Sequence, residues 1–178
     1  VQNLKEMGCH FIETSVDRRG INPATDLKLM MRYFNILGKI KPDLVITYTI
    51  KPNIYGGIAA RFKRIPYAVN ITGLGTAFQN ENMIKKLVVF LYKLSCKKAK
   101  TIFFENEGNK QVFIENNIIK ESRSCTLPGA GIDLDEYKMT PYPEESRNIR
   151  FLFIGRVMKE KGVEELFKAA KNIKKIYP

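Results

Sequence analysis

Short apolar runs alternate with segments of helical period along this 178-residue chain, and that alternation narrows the possible folds most. His10–Ser15 reads as a strand. Asn22 and Pro23 then start a helix, since Asn caps well and Pro suits the first helical position. Leu27, Met30, Met31, Phe34 and Leu37 follow at helical spacing. Leu44–Tyr48 is nearly all apolar, as expected of a parallel strand covered on both faces. Asn53–Lys63 reads as a helix, with Asn53 as its cap, and Tyr67–Ile71 as a strand. A long helix over Asn82–Lys98, a strand over Thr101–Phe104, a helix near Gly108–Asn116 and a strand near Ser124–Leu127 complete the pattern. Strand and helix in strict alternation predict an α/β fold with a Rossmann-like, doubly wound parallel sheet.

The pattern breaks after this sheet. Residues 138–148 carry Pro141, Pro143 and several charges, and read as a linker. Ile149–Ile154 then reads as a buried strand and Val163–Tyr177 as a helix. The expected organisation is a domain over 1–140, a linker over 141–148 and a β-α start of a second domain over 149–178. Val1–Met7 looks like the last turns of a helix stopped by Gly8. The final helix has nothing after it to pack against, so the chain reads as cut at both ends.

Bulk properties exclude several classes. The apolar content of 44% can fill a core. No run of 18 apolar residues is present, which argues against a membrane-spanning helix, and the opening residues lack a secretory pattern. Cys9, Cys96 and Cys125 are far apart and odd in number, so neither a disulfide framework nor a cysteine metal site is expected. His10 is the single histidine. A cytoplasmic location follows as an expectation. The net charge of +12 calls for an anionic partner: nucleic acid, a membrane surface or phosphorylated substrates.

Four segments have the residue types for chemistry. The first is Gly155–Gly162, a loop between the expected last strand and helix, holding Arg156, Lys159 and Lys161. A helix N-terminus offers free N–H groups and a positive dipole end, Arg grips phosphate bidentately, and Lys adds a point charge. The second is Thr72–Thr76, where Gly73, Leu74 and Gly75 follow a strand and let backbone approach a ligand. The third is Lys51, beside Pro52 at another strand end, placed to meet an acceptor phosphate. The fourth is the Asn82–Lys98 helix. Ile84, Leu87, Val88, Leu91 and Ser95 form its core face, and Lys86, Lys93 and Lys97 an opposite face that can meet anionic lipid, with Phe90 and Tyr92 available for insertion. Glu105-Asn106-Glu107 could offer a carboxylate but suits a helix cap better.

The pairing of Leu127-Pro128-Gly129-Ala130-Gly131-Ile132-Asp133 with Gly155-Arg156 and Lys161-Gly162 resembles the domain junction of family-four retaining glycosyltransferases of GT-B fold. Thr47–Gly56 and Asn70–Gly75 resemble the branch that builds capsular and lipid-linked polysaccharides in bacteria. The resemblance implies an acceptor-side first domain and the start of a donor-binding second domain. It implies transfer of a sugar from a nucleotide-diphosphate donor, such as a UDP-sugar, to a lipid-linked or polysaccharide acceptor. It implies retained anomeric configuration and no metal or other cofactor. Arg156 and Lys161 would hold the donor diphosphate, and the enzyme would sit at the inner face of the cell membrane. Many members of that family carry a histidine near the strand end at Asn70–Gly73; this chain has none there. Its acidic nucleotide-gripping motif would fall beyond Pro178, so the chain alone is expected to be inactive. The alternatives are a GT-B nucleotide-sugar epimerase, which fits the two motifs less well, and a basic nucleic-acid-binding domain, which the dispersed lysines disfavour.

Overall fold

The computed structural model describes residues 2–17, 20, 22–78, 83–129, 131–142 and 149–177. The chain divides into two units, Val1–Asp133 and Leu134–Pro178. Part of the expected linker, residues 143–148, and the expected helix start at Asn82 lie outside the described residues.

The first unit is built on a parallel sheet of four strands: β1 (Val45–Tyr48), β2 (Tyr67–Ile71), β3 (Thr101–Phe104) and β4 (Ser124–Thr126), in the order β1-β2-β3-β4. Parallel neighbours need crossover connections, and helices provide them. They are α3 (Gly57–Phe62) between β1 and β2, α4 (Met83–Cys96) between β2 and β3, and α5 (Glu107–Glu115) between β3 and β4; α2 (Pro23–Ile40) precedes β1. A short α1 (Gln2–Glu6) opens the chain. This is the expected α/β class. β2 lies between two neighbours and is buried along its whole length.

Register explains the core. Thr47, Val69 and Ile102 are aligned across three strands, and Ile71 is aligned with Phe104. Val69, Ile71, Ile102 and Phe104 are fully buried. The Phe113 ring of α5 meets Phe104 at 5.2 Å between centroids and Tyr92 of α4 at 4.9 Å, both edge to face. Aromatic pairs in that geometry add about 0.5–1.5 kcal/mol each beyond burial. Tyr92 is therefore part of the core, not of the lipid-facing surface expected of it.

Several expectations are corrected. His10–Ser15 forms no strand; it runs as coil, with Arg32 Nη2 of α2 donating to Glu13 O. Leu44–Tyr48 does form a strand, from Val45, but at the sheet edge, so Ile46 and Tyr48 are about half exposed. The helix expected from Asn53 begins earlier, at Ile50. It runs through a π turn, Pro52–Gly56, before α3. On α2, Leu29 and Leu37 are the buried positions, while Leu27 and Met31 face outward. On α4, Leu87 is 52% exposed and Ile84 39%, because the buried stripe runs through Tyr92, Ser95 and Cys96 instead. The N-cap of α2 is as expected: Asn22 Oδ1 accepts from the N–H groups of Ala24 and Thr25.

The second unit holds a 3-10 turn, Lys159–Lys161, and α6 (Val163–Ile176). Ile149–Ile154 is not a strand. It is exposed coil, since its unit contains no strand among the described residues to pair with.

Candidate functional site

The C-terminal ends of parallel strands are where open α/β sheets bind ligands, and here those ends are well ordered by side-chain bonds. β1 runs into Thr49, whose φ of 68° is left-handed. A β-branched residue adopts that conformation only under constraint. The next residues supply the constraint. Lys51 Nζ donates to Asp26 Oδ1 at 2.6 Å and to Gly20 O at 2.8 Å. Tyr55 OH donates to Asp26 Oδ2 at 2.9 Å. Burial and the bond to Asp26 push the Tyr55 phenol well above its usual range. The Lys51 and Asp26 side chains are only 13% and 15% exposed. α2, the loop before it and the β1–α3 junction are thus clamped together. Lys51, expected to meet a phosphate, spends its charge on Asp26.

A second polar network lies one layer deeper. Asn53 is not a cap: it is buried in the π turn, and its Nδ2 donates to Asn70 O at 2.8 Å. Ser95 Oγ of α4 donates to Asn53 O, and Tyr67 OH donates to Ser95 O. Burial raises the Tyr67 phenol to about 12 and the Cys96 thiol to about 12, which leaves Cys96 inert as a nucleophile. The side-chain oxygen of Asn70 is buried and finds no hydrogen-bond partner among the described residues.

Past Asn70, β2 ends in the loop Thr72–Gly75. Thr72 is exposed, and Gly73 has open space where a side chain would stand. Gly75 has φ 65°, and a Cβ there would come within 2.6 Å of Ile50 Cδ1, so this loop packs on the β1–α3 junction. The expected Gly73, Leu74, Gly75 loop and Lys51 are therefore neighbours.

At the end of β3 the residues are acidic, Glu105 and Glu107, while β4 ends in Thr126. Asn106 caps α5, its Oδ1 accepting from Asn109 N at 2.8 Å. Glu107 accepts from Thr126 Oγ1 and from Lys110 Nζ. The Thr126 hydroxyl, and after it Lys110, hold the Glu107 carboxyl below its usual range.

Two further groups of cations lie on α4 and within the second unit. Lys86 and Lys93 of α4 and Lys97 just after it are exposed, and so are Met83, Leu87 and Phe90 on the helix. In the second unit, Arg156 is exposed ahead of the 3-10 turn and Lys161 is exposed as its last residue. Gly162, at φ 72°, turns the chain into α6 with no side-chain cap. Lys159 Nζ lies 4.0 Å from Glu164 Oε2. Glu164 and Glu165 occupy the first turn of α6. Asp26, the partner of Lys51, lies 25 positions before it on α2, and no spacing pattern joins the two.

Residues 1–106 match the family model described as Glycosyl transferase 4-like. The chain is 28% identical, over 97% of its length, to the N,N'-diacetylbacillosaminyl-diphospho-undecaprenol alpha-1,3-N-acetylgalactosaminyltransferase of Campylobacter jejuni. It is 26% identical, over 88% of its length, to the capsular polysaccharide biosynthesis glycosyltransferase CapM of Staphylococcus aureus. It is 28% identical, over 87% of its length, to the UDP-Gal:alpha-D-GlcNAc-diphosphoundecaprenol alpha-1,3-galactosyltransferase of Escherichia coli. The chain spans 50%, 44% and 42% of those three proteins respectively.

Proposed function

We propose, from the premise that this chain belongs to the Glycosyl transferase 4-like family, that the intact protein transfers a sugar from a nucleotide-diphosphate donor to a lipid-linked acceptor. The observation that carries the reading is the family match, joined to relatives named for diphospho-undecaprenol or capsule chemistry. The donor is a UDP-sugar, and the acceptor is a growing surface polysaccharide carried on lipid.

The chemistry asks three things of the protein. An acceptor hydroxyl must be held at the anomeric carbon of the donor. The departing nucleotide diphosphate must be stabilised as negative charge develops on it. The acceptor's lipid must be reached at a membrane surface. The ordered strand ends of the first unit suit the first task. Arg156 and Lys161 suit the second: both are exposed cations in a Gly-bounded turn that opens onto α6. Lys159 lies in an exposed pair 4.0 Å from Glu164 Oε2, and the reading gives the diphosphate to Arg156 and Lys161.

The outward face of α4 suits the third task. Met83, Leu87 and Phe90 are large, apolar and exposed, and Lys86, Lys93 and Lys97 flank them. A helix with lysines beside apolar side chains lies in a lipid interface. Among the described residues no helix is long and apolar enough to cross a membrane, so contact through α4 is peripheral.

The test is nucleotide release. The intact enzyme, a UDP-sugar panel and an undecaprenyl-diphosphate sugar are mixed, and UDP is followed by a coupled assay. Release that depends on the lipid acceptor supports the reading. No release with any donor in the presence of acceptor, by a folded enzyme, rejects it.

A further inference from the structure

Asn53 joins three elements behind the strand ends of the first unit. Its backbone N–H donates to Thr49 O, just past β1, at 2.9 Å. Its side-chain Nδ2 donates to Asn70 O of β2 at 2.8 Å. Its own carbonyl accepts from Ser95 Oγ of α4. Asn70 is aligned with Tyr48, the last rung between β1 and β2. The Asn53 amide therefore ties the two strands where their ladder stops. The residues just beyond are Thr49–Lys51 after β1 and the Thr72–Gly75 loop after β2.

Local structure explains how Asn53 reaches this place. The chain leaves β1 through the π turn Pro52–Gly56, and within it Asn53 is buried, 1% exposed. Glycines let the turn sit close to its neighbours. A Cβ on Gly57 would stand 2.2 Å from Ser95 Oγ, and one on Gly56 3.2 Å from Thr47 Cγ2. Single π turns inside helices are rare and are found frequently at functional sites.

The arrangement is a poor choice for stability alone. Asn53 Oδ1 and Asn70 Oδ1 are both buried and have no hydrogen-bond partner among the described residues. A buried acceptor without a donor destabilises a fold, and a leucine at position 53 would leave out one of the two. Local rules of this kind are broken where a residue serves function.

We infer that Asn53 is a positioning residue for sugar transfer: it fixes the ends of β1 and β2 relative to each other, and with them the segments that face the reacting groups. The inference rests on the transferase reading above and deepens it. Asn53 itself is sealed from solvent and touches no substrate.

Asn53→Leu keeps the branching of the side chain and removes the amide. Ile102→Val, a trim of the β3 core outside this bond network, is the control. In the 178-residue chain, hydrogen exchange is followed by NMR. Asn53→Leu should speed exchange at Ile71–Gly75 by roughly 2- to 10-fold relative to α5, the worth of one neutral hydrogen bond. In the intact enzyme, activity is compared per folded molecule. Asn53→Leu should lower kcat with a lipid-linked acceptor by about 10- to 100-fold, the scale of a misplaced reacting group. The donor KM should not move, because Arg156 and Lys161 are untouched. Ile102→Val should leave both kcat and the exchange at Ile71–Gly75 as in wild type. Asn53→Ala, which opens the same junction without bulk, is read in the same way if Asn53→Leu does not fold. Wild-type exchange at Ile71–Gly75, or a folded Asn53→Leu enzyme with wild-type kcat, overturns the inference. So does an equal loss of kcat in Ile102→Val, which would make the effect one of stability alone. A wild-type enzyme that transfers no sugar rejects the transferase reading instead, and the exchange comparison still decides whether Asn53 holds the strand ends.

Discussion

Removing the Asp26 carboxylate is the perturbation from which the clamp predicts most. Asp26→Asn keeps the shape and removes the charge. Lys51 is left as an ammonium 13% exposed with no counter-charge, only neutral acceptors such as the Gly20 carbonyl and the new amide oxygen. Breaking a fully buried ion pair from one side costs about 3–5 kcal/mol, and a charge-assisted hydrogen bond contributes about 1.5–3 kcal/mol. This pair keeps some contact with water, so the expected loss is about 2–3 kcal/mol, below the range of a fully buried pair and within that of a charge-assisted hydrogen bond. Lys51→Met should cost less, because Asp26 keeps the Tyr55 hydroxyl at 2.9 Å. The double variant Asp26→Asn/Lys51→Met removes both charges and should recover much of the loss, since an apolar or neutral replacement of an ion pair is often close to neutral. The assay is urea unfolding followed by far-ultraviolet circular dichroism, arranged as a double-mutant cycle. A coupling near zero, with each single variant within about 0.5 kcal/mol of wild type, would show that Lys51 and Asp26 do not hold each other and that Thr49 is not braced by them.

Three other outcomes follow from the same structure. In the intact enzyme, Arg156→Ala and Lys161→Ala should each lower kcat/KM for the donor by about 10- to 150-fold, the equivalent of one charged hydrogen bond; Lys159→Ala, whose partner is Glu164, should change it little. Replacing Lys86, Lys93 and Lys97 together by Gln should weaken co-sedimentation with anionic liposomes by about 100-fold, at about 1 kcal/mol per lysine, while neutral liposomes bind wild type and variant alike. Stability should hold steady up to about pH 9 and fall above it. Cys96 and Tyr67 are raised to about 12 from 9.0 and 10.0 by burial, so the native state binds their protons more tightly than the unfolded chain, and their contribution is present below the unfolded values and lost as pH climbs through the window to about 12. Urea midpoints measured across that range check this; a midpoint that stays level to pH 12 contradicts it.

The elements legible from sequence were those whose cause is local. Asn22 and Pro23 mark a helix start through their own side chains, and the structure caps α2 there. Tyr67–Ile71 reads as a strand because it is mostly apolar, and it is the buried β2. Elements whose cause is a neighbour were not legible. Ile149–Ile154 has strand composition, but a strand needs a partner to bond to, and its unit has none among the described residues. His10–Ser15 likewise lacks one. Asn53 has the composition of a cap, yet the chain enters its helix at Ile50 and turns Asn53 inward to Asn70. On α4, helical period alone could not choose between Leu87 and Tyr92 for the core, because both sit on apolar stripes; the Phe113 ring decides for Tyr92. At the candidate site, Lys51 and the glycine loop were visible as residues, but the Asp26 contact that cancels the lysine's charge joins positions 25 apart.

The most direct measurement of the central claim is the structure of the product. Intact enzyme is given a UDP-sugar and an undecaprenyl-diphosphate-linked saccharide, and the lipid fraction is analysed by mass spectrometry and proton NMR. The account predicts a lipid product one glycosyl residue heavier, joined with the donor's own anomeric configuration. An unchanged lipid acceptor, with the nucleotide sugar converted to its epimer or left intact, would contradict it.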